Sequence, residues 1–318
     1  MAERRITVHA GRDDAGLRLD VFLSRRVPAL SRSRAASVVD ASGVTVDGRI
    51  AKSSYRMRGD ESIDVVVPEP APARAEAQAI PLDIVYEDAD IVAVNKPPGL
   101  VVHPAAGNPD GTLVNALLAH SRDLSGIGGV MRPGIVHRLD KGTSGVIVCA
   151  KNDAAHEALT RQFASRTLTK VYLAITIGAP SPRAGVVDRP IGRHTVDRKR
   201  MAVDVPRSRA AKTEYETLAA AGGLAVVRCG LLTGRTHQIR VHLQSLRCPI
   251  LGDAVYGGRN AEKRLDQMSM SDARAMRRPA LHAWRIEFDH PRDGRRVKLE
   301  AAIPSDMKCI LDRIGWTP

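Results

Sequence analysis

The chain has 318 residues, 43% of them hydrophobic, enough for two domains of ordinary size with a substantial core, which excludes wholesale disorder. Its 48 Lys and Arg against 35 Asp and Glu leave a charge of +13 and a pI near 10.0, a balance that points to a polyanion, most often nucleic acid. Aromatic residues are only 3%, which argues against gripping single strands on stacked aromatic platforms.

Leu19, Phe22 and Leu23 fall at helical spacing before Pro28 and predict a short helix. Ser31 is placed to cap a second helix, with Ala35, Val38 and Val39 as its apolar face. Val44 and Val46 alternate before the turn Asp47-Gly48, and 63–67 reads as a closing strand. Between Arg18 and Arg58 stand nine basic residues against Asp20, Asp40 and Asp47. A basic helix followed by a basic hairpin suits the backbone of a folded RNA, with Arg32, Arg34 and Arg49 as candidate contacts. The plainer alternative is a solvated charged surface on an ordinary small domain. Residues 17–67 are thus expected to form an RNA-binding module. Alternating Pro and Ala then predict a semi-rigid linker over 68–80.

From residue 81 to the end the pattern is strand-rich with interleaved helices. Segments 84–86 and 91–95 flank a hairpin turn, and Thr112 caps a helix that buries Leu113, Ala116 and Leu117. Strands are expected at 135–139 and 146–150, a helix over 153–165, and a long apolar strand over 168–177. A hairpin joins 213–219 to 224–231, a helix runs from about 236 to 246, and 281–289 pairs with 297–302. Residues 260–278, charged and Met-bearing, read as a surface helical excursion. This order lacks regular βαβ alternation, so the expected class is α+β, with helices against a mixed, mostly antiparallel sheet.

Several chemistries leave no trace. The sequence has no GxxxxGK[ST], no GxGxxG after a strand, no HExxH and no GxSxG. His237 and His242, five apart, fall on different faces of a helix, so no nucleotide, flavin or metal cofactor is expected. Cys149, Cys229, Cys248 and Cys309 show no CxxC and read as buried, reduced thiols. The first six residues lack the apolar region of a signal peptide, and no run reaches the roughly 20 apolar residues of a membrane span, so a cytoplasmic protein is expected.

Three blocks could carry chemistry. His137-Arg138-Leu139-Asp140-Lys141-Gly142-Thr143-Ser144-Gly145 sets a carboxylate in a glycine-bearing loop between cations, although a turn Asp satisfying loop amides would look the same. In Thr233-Gly234-Arg235-Thr236-His237-Gln238-Ile239-Arg240 a strand ends and a helix starts with Thr236 as its cap, a geometry that suits phosphate; Arg240 could instead pair with a carboxylate or stay on the surface. Tyr172, within Lys170-Val171-Tyr172-Leu173, has a core aromatic as its default role.

Together these blocks resemble the large-ribosomal-subunit type of RNA pseudouridine synthase, the branch with a His-Arg-Leu-Asp signature. The resemblance also rests on Lys96-Pro97-Pro98-Gly99-Leu100, on Gly145-Val146-Ile147-Val148 and on Pro249-Ile250-Leu251-Gly252-Asp253. Arg18-Leu19-Asp20, Ser31-Arg32-Ser33-Arg34 and 43–48 are similar to the S4-like RNA-binding domain common in that family. Nearly the whole chain is covered; 260–278 lies outside the motifs.

The resemblance implies isomerisation of uridine without redox cofactor, metal or second substrate. It implies that Asp140 acts on the sugar, as a nucleophile at C1′ or a base at C2′, and that Arg240 pairs with it and orients it. Tyr172 would stack on the flipped base and is the candidate to take the C5 proton; Arg138 would enter the space the base vacates. Arg235 is assigned to phosphate binding or loop support. The implied substrate is 23S ribosomal RNA, free or in assembling large subunits, acted on by a monomer. The rivals are a tRNA-directed synthase, a non-catalytic ribosome-assembly protein and a nucleobase-releasing glycosylase, the last of which would need a second carboxylate to activate water.

Overall fold

Two residues in the left-handed region, Asp47 (φ 51°) and Gly48 (φ 76°), close the tight hairpin that the Val44/Val46 alternation predicts. In the computed structural model, which describes residues 3–27, 30, 32–40, 42–68, 75–105, 107–121, 134–197 and 200–318, this hairpin belongs to the first of two compact units, residues 1–73 and 74–318.

The first unit contains β1 (Glu3–His9), α1 (Leu19–Arg26), α2 (Arg32–Asp40), β2 (Val44–Val46), β3 (Arg49–Ile50) and β4 (Ser62–Pro68). Its sheet runs β1-β4-β2-β3. Leu19, Phe22 and Leu23 from α1 and Ala35, Val38 and Val39 from α2 pack on Val44, Ile63 and Val65. Leu19, Phe22 and Leu23 are fully buried, and each such side chain stabilises the unit by roughly 1.5–3 kcal/mol. Strand β1 pairs along all of β4, so the sheet begins well before residue 17. The expected cap Ser31 lies outside the described residues, as do residues 69–74 of the expected linker. From Glu76 onward that stretch is tied to the second unit, since the Glu76 carbonyl accepts from Asn115 and the Gln78 side chain accepts from the Gly111 amide.

The second unit contains β5 (Ile84–Glu87), β6 (Ile91–Lys96), α3 (Leu113–His120), β7 (Ser144–Ala150), α4 (Asp153–Ser165), β8 (Thr169–Ile177), β9 (Ala184–Asp188), β10 (Ile191–Arg193), β11 (Met201–Val203), β12 (Lys212–Ala221), β13 (Leu224–Leu231), α5 (Gln238–Ser245), α6 (Arg259–Glu262), α7 (Gln267–Ala275), β14 (Leu281–Asp289), β15 (Arg296–Glu300) and α8 (Ser305–Ile314). Its nine-stranded sheet runs β5-β6-β7-β14-β8-β13-β12-β9, with β15 also on β14, and only β7–β14 is parallel. Both faces are covered. Val92, Val94, Ile147 and Cys149 face one core with α3; Ile91, Ala93, Val146 and Val148 face another with α4. Burial on two sides is why β6 and β7 read as continuous apolar runs rather than as alternation.

Three expectations need correction. Residues 135–139 are not a strand. β14 pairs with β7 over only two residues, and beyond them β7 donates to the Gly134 carbonyl and to the His137 side chain. An irregular segment therefore fills the strand's place. Thr236 does not cap α5; His237 does, in a left-handed conformation and without a side-chain bond. Cys309 is exposed, whereas the other three thiols are buried. Strands β9 to β11 are short, and α8, opened by Pro304 and closed by Gly315, went unread although Met307, Ile310 and Leu311 mark its buried face.

Candidate active site

Leu139 anchors the Asp140 loop. It sits in the core at 5% exposure, while Arg138 beside it is exposed and Asp140 lines a cavity of about 450 Å³. The loop is braced from three sides. His137 accepts from the Val148 amide at 3.0 Å and stacks on Phe163 at 4.6 Å. Burial pushes its imidazole down to about 3, so it is a neutral acceptor. Behind the loop, the wholly buried Lys96 ammonium donates to the carbonyls of Pro97 and Leu100, each at 2.9 Å, and to that of Lys141 at 3.4 Å. The Gly99 amide also donates to the Lys141 carbonyl. The Lys96-to-Leu100 motif thus supports the Asp140 loop from the interior, and burial pushes its ammonium down to about 8. At the loop's end, Gly145 has φ 115°, and a Cβ there would lie 2.2 Å from the Ala283 carbonyl oxygen. Only glycine lets β7 start against β14 at this point.

The opposite wall comes from α5. Gln238, the first residue of α5, gathers the turn that precedes it: its amide oxygen accepts from the Thr233 hydroxyl and the Arg235 amide, and its nitrogen donates to the Lys212 carbonyl and Thr213. Arg240, 6% exposed, meets two carboxylates. Its Nε and Nη2 donate to Asp253 at 2.6 and 2.8 Å, whereas Nη1 lies 3.4 Å from Asp140 Oδ2. Asp253 is fully enclosed and also accepts from the amides of Val255 and Tyr256. The Arg240 guanidinium lies 4.9 Å from the Tyr256 ring centre. His237 joins this corner, with Nδ1 2.8 Å from the Tyr256 hydroxyl and Nε2 3.8 Å from Asp140 Oδ2.

Tyr172, on β8 between Cys229 and Ala283, lines the same cavity at 8% exposure. Burial, and then the Asp140 charge, push its phenol above the ordinary value, so it is protonated at neutral pH. Arg138, Arg166, Lys170 and Arg235 add a cationic border. Arg235 Nε donates to the Ala210 carbonyl, a loop-supporting bond.

The structure thus brings Asp140, Tyr172, Arg240, Arg138 and Arg235 around one cavity. Arg49 is exposed on the hairpin of the first unit, and the side chains of Arg32 and Arg34 lie outside the described residues. Lys96, His237 and Asp253 stand in the matched motifs and Tyr256 just beyond them, but nothing in the sequence alone marks any of the four as a site residue. Among the described residues one group, Asp88, Asp90 and His290, has three side chains spaced for a metal. Its oxygens already accept from Tyr86, Asn152, Arg292 and backbone amides, which makes it a structural knot. Among the described residues no helix is long and apolar enough to cross a membrane.

Residues 90–245 match the RNA pseudouridylate synthase family model, and residues 17–63 match the S4 domain. An uncharacterized RNA pseudouridine synthase of Bacillus subtilis is 42% identical over 98% of this chain and 98% of its own length. A ribosomal large subunit pseudouridine synthase D of Nitrosomonas europaea is 44% identical over 96% of this chain and 86% of its own. Among solved structures, human RNA pseudouridylate synthase domain containing 4 superposes with a TM-score of 0.57 at 29% identity, covering 74% of this chain and 94% of that one. With the S4 domain ahead of a mixed sheet that holds an Asp, a Tyr and an Arg around one cavity, these matches place the chain in the RNA pseudouridine synthase family.

Proposed function

We propose that this enzyme isomerises uridines of 23S ribosomal RNA, acting in the cytoplasm as a monomer, with Asp140 as the group that attacks the sugar. The observation that carries the reading is the shared cavity, where one incompletely coordinated carboxylate faces a buried Tyr and a buried Arg. At about 450 Å³ it has the size of a small-ligand pocket and suits one flipped nucleotide. Relatives named for the large ribosomal subunit support the choice of RNA.

Asp140 acts at C1′ as nucleophile or at C2′ as base while the C1′–N1 bond breaks. The uracil turns, C1′ joins C5, and the C5 proton leaves. Tyr172 stacks on the base and relays that proton. Arg240 holds the carboxylate, Arg138 fills the space the base vacates, and Arg235 steadies the 233–238 turn beside the RNA. Substrate and product are isomers, so the balance closes without a co-reactant.

The test is Asp140→Asn, assayed by tritium release from 5-tritiated uridine in 23S transcripts beside filter binding. Turnover should become undetectable, a loss of several orders of magnitude, while binding persists. Substantial release by a folded, RNA-binding Asp140→Asn protein would refute the assignment. Tritium release from transfer RNA instead would reassign the substrate.

In the same reading residues 17–67 capture RNA, 68–80 connect and 81–318 catalyse. Removing residues 1–74 should lower affinity and flatten the dependence of binding on salt by about 0.7–0.9 per lost phosphate contact. An unchanged salt slope would contradict this division of labour.

A further inference from the structure

The imidazole of His237 lies between a phenol and the Asp140 carboxylate, and the hydrogen bonds of that phenol point to one tautomer. The Tyr256 hydroxyl accepts from the Met201 amide at 2.8 Å. Its own single proton has one acceptor within reach among the described residues, His237 Nδ1 at 2.8 Å. With Nδ1 accepting, the imidazole proton is on Nε2, the atom 3.8 Å from Asp140 Oδ2. A doubly protonated ring would leave the phenol proton without a partner among the described residues. The groups facing His237 are Asp140, Arg240, Asp253, Arg138 and Tyr256. Burial pushes the ring below its ordinary value, in keeping with the neutral form.

The backbone supplies the aim. His237 stands at the start of α5 with φ 56° and ψ 22°, a left-handed conformation that non-glycine residues adopt only where the surroundings demand it. Three residues later on the same helix, Arg240 directs Nη1 at the same carboxylate oxygen, at 3.4 Å. Two donors from one helical turn therefore converge on Oδ2. Asp140 Oδ1 has no partner among the described residues.

We infer that His237 is a positioning residue for Asp140: locked by Tyr256 as the Nε2–H tautomer, it joins Arg240 in holding Oδ2 and leaves Oδ1 as the oxygen that meets the sugar. The inference rests on Asp140 being the attacking group. A separation of 3.8 Å is long for a hydrogen bond, and catalytic contacts commonly tighten only when substrate binds.

Three single variants of the full chain and one double variant test this by single-turnover tritium release from 23S transcripts, with filter binding and melting curves alongside. In His237→Asn the left-handed backbone is kept, since Asn tolerates it well, but the amide cannot reach as far as Nε2. Its rate should fall about tenfold or more with RNA affinity unchanged. His237→Gln carries an amide nitrogen near the Nε2 position and should recover to within about threefold of wild type. Tyr256→Phe keeps the ring on Arg240 and removes the lock; it should slow the step about threefold alone and add nothing to His237→Asn, because Tyr256 acts through His237.

A merely structural His237 predicts the reverse order, with Asn better than Gln and rates following melting temperatures. That order, a wild-type rate in His237→Asn, or additive losses in the double variant would overturn the inference. Full activity in Asp140→Asn would instead overturn the function on which it rests.

Discussion

Two loops that lead into strands of the second unit carry the same kinds of side chain to opposite ends. In the turn between β5 and β6, Asp88 Oδ1 accepts from the amides of Asp90 and Ile91, and Oδ2 accepts from Tyr86 and His290 at 2.7 and 2.8 Å. Asp90 beside it accepts from Asn152 and Arg292. In the loop before β7, Asp140 has, among the described residues, an Arg and a His near one oxygen only, at 3.4 and 3.8 Å. Both loops pair carboxylates with cations. Where every lone pair is occupied the carboxylate holds strands together; where they are not, in a cavity, it is free to react. Arg240 shows how the second state is kept, since Asp253 takes its two short bonds and leaves the long one for Asp140.

The comparison breaks most sharply under one substitution made twice. Asp140→Asn should abolish turnover by several orders of magnitude and leave the melting temperature unchanged, because few bonds depend on that carboxylate. If its melting falls as far as that of Asp88→Asn, the contrast is wrong.

Asp253→Asn should affect both measurements. It strands a buried guanidinium, which costs about 3–5 kcal/mol of stability, and it frees Arg240 from its orientation toward Asp140. A variant that melts normally and turns over at the wild-type rate would show that Asp253 does not orient Arg240.

Asp88→Asn should lower stability by about 1–3 kcal/mol with turnover per folded molecule intact, as an acceptor for several donors is weakened. Urea melts beside single-turnover rates separate the two effects.

The smallest effect is in pH. Burial raises the Asp88 carboxyl, but hydrogen bonds from Tyr86, the Ile91 and Asp90 amides and His290 outweigh it and hold the group well below its ordinary value of 3.8. A depressed carboxylate stabilises the fold at pH values above its unfolded value and loses that contribution as pH falls toward its folded one. The stability gap between wild type and Asp88→Asn should therefore be constant from neutral pH to about 4.5 and narrow only below it. A gap that closes between pH 7 and 5 would show that the Asp88 carboxylate is not the group whose protonation sets it.

Much of this was legible along the chain. Helix α4 lies at 153–165 as its spacing predicts, and the paired strands β12 and β13 flank the expected hairpin. These elements depend on period and on punctuation by Gly, Asn and Pro, which are local properties. The segment 135–139 has the composition of a strand, yet its fate turned on the Val148 amide bonding to the His137 side chain, a contact with no local signature.

The amino-acid sequence by itself determined the α+β class, the Asp140 loop and the family motifs, because neighbouring residues carry them. Only the tertiary structure decided how Arg240 divides itself between Asp253 and Asp140, 13 and 100 residues away along the chain. It likewise decided that Lys96 braces the loop at Lys141, 45 residues on, and that Tyr256 sets the proton of His237. Each is a hydrogen-bond geometry between distant segments, fixed by packing of the sheet and α5 rather than by any residue's own propensity.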